Sequence, residues 1–333
     1  MSSTTSTATV GARSTGPTDL QFRAMGSAVH VIVVGGPPGL ADWARARIDD
    51  LEHRWSRFLP DSEVSELNRR AGSPVVVSAD TIELVERATE ACRVTGGSFD
   101  ATVLGDVIRA GYDRPFDDLA GDRPSPQSIL QLGGANVVVD GSTVRLPAGT
   151  GFDPGGIGKG LAADIVVREA MAGGARGMCV NLGGDLRVAG EPPSGDAWTV
   201  SVQHAWQDDP VVLVGLHDGA VATSTTLRRR WTTDGQPKHH LIDPGTGQPS
   251  TSDLNLVSVI GASGWVAEVL AKAVLLRGSA HPFDLIGGSG AEALAVTSRG
   301  QVLASDGLGA FLGDRPLPER LHGAPILPKE RMR

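Results

Sequence analysis

Residues Phe152-Asp153-Pro154-Gly155-Gly156-Ile157-Gly158-Lys159-Gly160 run directly into a stretch whose apolar residues Leu161, Ala162, Ile165, Val166 and Ala170 recur at helical spacing. The spacing predicts a glycine-rich bend that opens onto a helix N-terminus. Four glycines in six positions leave the backbone bare of Cβ atoms. Exposed N–H groups, the positive end of a helix dipole and the Lys159 ammonium together favour a phosphate or diphosphate. The segment is not a P-loop. That motif needs a glycine five residues before its Gly-Lys pair and a Ser or Thr directly after the lysine, where this chain has Asp153 and Gly160. A Rossmann fingerprint also fits poorly, because no strongly apolar strand enters the loop. A turn that only packs a helix against a sheet accounts for the same glycines.

With 333 residues the chain can bury a sizeable core, in one large domain or two interlocked ones. A net charge of -8 argues against nucleic acid as the main partner, since phosphate backbones reward basic surfaces. The 44 glycines imply many tight turns and hence a β-rich component. Cys92 and Cys179 lack CxxC spacing and read as small buried hydrophobes. No segment reaches the roughly 18 apolar residues of a membrane span. Residues 1–19 have neither the apolar run of a signal peptide nor a cysteine to accept lipid, and read as the disordered leader of a cytoplasmic protein. Residues 313–333 hold four prolines and several cations and read as an irregular basic tail, leaving 20–312 as the folded part.

Within that part, Gln21 to Val34 reads as a strand and Leu40 to Trp55 as an amphipathic helix. Asp61 or Ser62 caps a short helix, and Ser78 or Asp80 caps another with Ile82, Val85, Ala88 and Cys92 inward. Asp140-Gly141 and Asp234-Gly235 are hairpin turns. Further strands are expected at Gly177–Asn181, Trp198–Gln203, Val211–Leu216, Ala220–Ser224, Asn255–Ile260, Ala293–Thr297 and Gln301–Ala304, with a helix over Trp265–Leu276. Helices and strands do not alternate regularly. The expected class is α+β, with mixed sheets, flanking helices and two interlocked subdomains.

Several segments share the glycine-rich, acid-bearing character of the central loop. They are Met25-Gly26-Ser27, Ser62 to Asn68, Gly96 to Val103, Asn181-Leu182-Gly183-Gly184-Asp185, Ala222-Thr223-Ser224 and His240 to Gly247. In this order and at these separations the chain resembles the FAD:protein FMN transferases, over about Phe22 to Gly309. The resemblance implies an enzyme that binds FAD and passes its FMN half to a Ser or Thr hydroxyl of an acceptor protein, releasing AMP. Acceptors of such enzymes carry a short Ser/Thr-Gly-Ala-Ser/Thr-like motif. It further implies that Met25 and Phe58 contact the flavin or adenosine rings and that Ser98, Phe99 and Asp100 form the dinucleotide-holding turn. Asp153 would hydrogen-bond the cofactor, Lys159 would face its phosphates, and Thr223 and Ile242 would complete the pocket. Gly156 would offer a carbonyl to Mg²⁺. His240 is the expected general base, since its reference pKa lies near neutrality. His239, adjacent on a strand, points the other way.

Two departures bear on this picture. The helix position that supplies a metal-binding Asp in the family holds Glu268, and the Thr four residues on is Lys272. Glu still coordinates a hard cation through oxygen; an ammonium has no lone pair to give. Either Lys272 supplies positive charge to the diphosphate itself, or a displaced Mg²⁺ remains; an exposed helical Glu-Lys pair is the plain alternative. Thr225 stands where glycine is usual after the hydroxyl pair. The rival functions are an FAD-binding protein without transfer, a hydrolase giving FMN and AMP, and a structural protein whose glycines only make turns.

Overall fold

The computed structural model describes residues 16–128, 130, 136–313 and 316–321; the expected leader up to residue 15 and most of the expected tail lie outside them. Eight strands form one antiparallel sheet whose spatial order is the chain order: β1 (Thr18–Ala24), β2 (Ser27–Val34), β3 (Gly177–Leu182), β4 (Asp185–Gly190), β5 (Gly219–Thr225), β6 (Leu254–Gly261), β7 (Glu292–Thr297) and β8 (Val302–Ala304). The sheet is a meander interrupted by insertions. Parallel pairing among the described residues is confined to Thr232–Thr233 with Asp122–Arg123 and to a bridge between Val103 and Gly151. With its helices, the chain is α+β.

The long insertion between β2 and β3 carries α1 (Leu40–Trp55), α2 (Glu63–Arg69), α3 (Ala79–Val94), α4 (Leu104–Arg109) and α5 (Gly158–Ala172). Ser62 and Ser78 cap α2 and α3 by accepting from Ser65 N at 3.0 Å and Thr81 N at 3.3 Å. In α3 the fully buried face is Thr81, Leu84, Val85, Ala88 and Ala91, so Ile82 and Cys92 sit at its half-buried margin rather than inward as expected. Cys179 is buried, which pushes its thiol up to about 12 and leaves it an inert hydrophobe. The second helical insertion, α6 (Gly264–Arg277), joins β6 to β7.

Strand alternation sorts side chains into two layers. Ala220, Ala222, Val257 and Val259 pack under α6. On the opposite face Val188, Val221, Leu256 and Ile260 meet the hairpin Trp198–Val202/Val212–Leu216. Covered on both sides, β6 is buried at every position, which explains its largely apolar run, broken only by Asn255 and Ser258.

Two boundaries differ from expectation. Gln21–Val34 is not one strand. Met25 (φ 51°) and Gly26 (φ 63°) make a two-residue turn that folds β1 back on β2, and β1 starts at Thr18, inside the expected leader. Methionine is an unusual residue for a left-handed turn position, which is why the break is hidden. At the other end, Leu321 is buried and Arg320 bridges Gln301, so the first part of the expected tail is packed on the sheet.

Candidate active site

The glycine-rich bend does open onto a helix, as α5 begins at Gly158. The last of its glycines serves packing. A Cβ on Gly160 would lie 2.3 Å from Gly264 O, and one on Gly264 would lie 2.5 Å from Gly160 O. The starts of α5 and α6 therefore cross backbone to backbone. Asp164, one turn into α5, accepts from Gly264 N at 2.7 Å and Trp265 N at 3.0 Å, capping α6 from a neighbouring helix.

The same crossing brings Gly160 N to Glu268 Oε2 at 2.7 Å. Glu268 Oε1 accepts from Lys159 Nζ at 3.0 Å, and Lys159 also bonds Asp185 Oδ2. Both carboxylate side chains are only 5 % exposed, so Lys159 is the counter-ion that makes their burial tolerable. Asp185 follows the Gly183-Gly184 turn between β3 and β4 and also receives Thr223 N at 3.3 Å. The Thr223 and Ser258 hydroxyls share a hydrogen bond of 2.7 Å.

Asp153 pairs with Arg57 at 3.5 Å and accepts from Gly155 N at 2.9 Å. The Arg57 guanidinium lies 4.1 Å from the Phe58 ring centroid and 4.7 Å from that of Tyr112, and donates to Tyr112 O at 2.9 Å. Phe58 and Tyr112 are themselves 5.8 Å apart. This aromatic and guanidinium wall stands beside the loop.

Lys272, four residues after Glu268, does not pair with it. Glu268 turns to Lys159 instead, so the helical Glu-Lys pair is not formed. The Lys272 side chain crosses Gly156, where a Cβ would lie 3.0 Å from both Cδ and Nζ, and its ammonium sits 5.4 Å from the Phe99 ring centroid. Among the described residues it makes no ion pair or hydrogen bond. Burial lowers its pKa, aided by Lys159, while Asp153, Glu268 and Asp100 oppose that shift.

His240 follows the Gln236–His239 strand and is half-buried. His239 bonds Ser250 O at 3.0 Å, which sends the two rings apart as expected. His240 Nδ1 is buried without a hydrogen-bond partner among the described residues. Burial, then the charges of Arg229 and Lys272, hold its pKa well below 6.5, so the ring is a neutral imidazole at pH 7.

These groups share one cleft of about 1160 Å³. Of the expected site residues it collects Met25, Phe58, Asp153, Gly156, Lys159, Thr223, His240, Glu268 and Lys272. Ser98, Phe99, Asp100 and Ile242 do not reach its wall. Ser98 Oγ accepts from Arg277 at 2.9 Å, and Asp100 Oδ1 accepts from the Thr102 N–H and hydroxyl at 2.7 Å each. Phe99 is buried beneath Lys272, while Ile242 joins the core around Val107 and Trp231. Arg57, Arg229 and Asp185 line the cleft without having been singled out for a role. Asp185 alone carried a signal, as the acid closing a glycine-rich motif; Arg57 and Arg229 sit in segments without one.

Among the described residues the side-chain donors do not compose a magnesium site. No group of three His, Cys, Asp or Glu side chains among the described residues is arranged to hold a metal. Both Glu268 oxygens are taken by Lys159 and Gly160, and the position expected to add a hydroxyl presents an ammonium.

The model of the ApbE family matches residues 25–295, most of the chain and every residue lining the cleft except Gln21. The chain belongs to the ApbE family. A relative from Treponema pallidum (strain Nichols), an FAD:protein FMN transferase, is 30 % identical over 269 residues, covering 74 % of each chain. One of the same name from Vibrio cholerae is 26 % identical over 253 residues, covering 72 % of this chain and 76 % of that one. Among solved structures, the ApbE protein of Thermotoga maritima superposes with a TM-score of 0.80 at 25 % identity, covering 90 % of this chain and all of that one. The flavin transferase ApbE of Vibrio cholerae gives 0.75 and shares the fold. This ApbE-family chain thus keeps the family's architecture while placing a lysine pair and a glutamate at the crossing of α5 and α6.

Proposed function

We propose that this chain is an FAD:protein FMN transferase, taking FAD as substrate and passing its FMN half to a Ser or Thr hydroxyl of an acceptor protein. Membership of the ApbE family and the relatives that share this activity support the reading. The observation that carries it is the cleft's composition. Aromatic faces at Phe58 and Tyr112, cations at Lys272 and Arg229, and a neutral imidazole at His240 surround one large cavity.

In this reading the flavin and adenosine rings lie against Met25 and the Phe58–Tyr112 wall, with the diphosphate near Lys272 and the head of α5. The acceptor hydroxyl oxygen forms a bond to the flavin-side phosphorus while the bond from that phosphorus to the bridging oxygen breaks. The hydroxyl proton passes to the neutral imidazole of His240, and AMP leaves with the bridging oxygen and its electron pair. Preorganised cations offset the charge gathering on the phosphate oxygens, the largest service a protein gives phosphoryl transfer. His240 acts without a preceding deprotonation, because it is already neutral.

Incubating the protein with FAD and an acceptor domain bearing the Ser/Thr motif tests the reading. The expected product is an acceptor heavier by one FMN-derived group, together with AMP. Release of FMN and AMP with the acceptor unchanged would establish the hydrolase instead.

A further inference from the structure

Resting on the flavin-transferase reading, we propose that Lys272 is a built-in cation for the FAD diphosphate, so that this chain binds FAD without a divalent metal. Three observations place it there. First, the acidic groups at the α5–α6 crossing are already satisfied. Lys159 and Gly160 N occupy both Glu268 oxygens, and Lys159 also holds Asp185. An incoming divalent cation would have to share those carboxylates with an ammonium that already neutralises them. Second, Lys272 stands beside the cluster with its three donors unfilled among the described residues, and it lines the cleft. A desolvated ammonium without a counter-ion is a ready anion site. Third, its surroundings suit a ligand-facing ammonium. The Lys272 side chain passes over Gly156, where a Cβ would lie 3.0 Å from its Cδ and Nζ, and the ammonium sits 5.4 Å from the Phe99 ring centroid. A side chain on residue 156 would crowd that path.

The arrangement divides labour between two lysines. Lys159 neutralises the buried carboxylates, and Lys272 is left for the ligand. Of the two lysines expected from sequence to serve the phosphates, Lys272 alone is left for them, because Lys159 is engaged by Asp185 and Glu268. The ammonium takes no part in bond making. It balances charge on the non-bridging oxygens as the phosphorus–oxygen bond to AMP breaks, while the proton goes to His240.

FAD affinity, read by calorimetry in a chelator and in excess Mg²⁺, tests the proposal, with riboflavin as the diphosphate-free control. The expected result is tight FAD binding in chelator that Mg²⁺ does not improve. Lys272→Met should weaken FAD binding by about tenfold or more, as loss of a charged hydrogen bond requires, and leave riboflavin binding unchanged. Lys272→Arg should retain most of the affinity. Lys272→Thr should bind FAD weakly in chelator. Wild-type binding that appears only with Mg²⁺ overturns this proposal and leaves the transferase reading standing. A wild-type protein that binds no FAD under either condition overturns both.

Discussion

Gly160 and Gly264 touch through their backbones, and no other residue fits at either position. A Cβ on either would approach the other's carbonyl oxygen to 2.5 Å or less. The contact also sets the reach from Gly160 N to Glu268, and hence the place of Lys272 one turn further along α6. Gly160→Ala should therefore destabilise the protein by about 1–3 kcal/mol or more, as over-packing does. It should also weaken FAD binding, since relief of the clash moves α6. Denaturant unfolding and FAD titration on the same sample check this; an unchanged unfolding midpoint would contradict the crossing.

Lys159 is expected to matter for folding as much as for chemistry. Lys159→Met leaves Asp185 and Glu268 buried together without a cation, a loss on the order of 3–5 kcal/mol. Lys159→Arg keeps a cation between the two acids and should recover part of the loss. Unfolding free energies of the two variants decide the matter. Equal losses would mean that Lys159 contributes packing alone.

Asp164 offers a test away from the cleft. It accepts from two N–H groups at the start of α6 and faces Arg187 at 3.4 Å. Asp164→Ala strands two buried donors, so a loss of about 2–4 kcal/mol is expected. Hydrogen exchange at Gly264 and Trp265 should accelerate before the rest of α6. Exchange that stays slow there would show that another group caps the helix.

The elements with strong local chemistry were legible from sequence. The α1 periodicity, the Ser62 and Ser78 caps and the Asp234-Gly235 turn stand where the residues place them. What sequence hid was partner choice. Glu268 and Lys272 are four apart, the spacing of a helical ion pair, yet Glu268 reaches across to Lys159 on another helix. Only the Gly160–Gly264 crossing makes that distance short. Likewise Ser98, Asp100 and Ile242 carry motif residues that the fold spends on bonds and packing behind the cleft. Arg57 carried no motif, and its place between Phe58, Tyr112 and Asp153 exists only once α4 and the central loop meet.

His240 gives the sharpest functional prediction. Its pKa is held well below 6.5, so flavin transfer should stay level as the pH falls through 6.5 and drop only in stronger acid. His240→Gln should slow transfer by about 10²–10⁴ while FAD affinity holds, the pattern of a lost general base. Stability carries a second signature of the same group. The folded state binds fewer protons than the unfolded chain between the lowered pKa and about 6.5, so the stability due to His240 is complete above that range. It is lost as the pH falls through the window, and His240→Gln should remove that part of the slope. Transfer rates and unfolding free energies measured from pH 8 downward read both effects. A transfer rate that halves near pH 6.5 in step with an unperturbed imidazole would show that the buried ring is not the base.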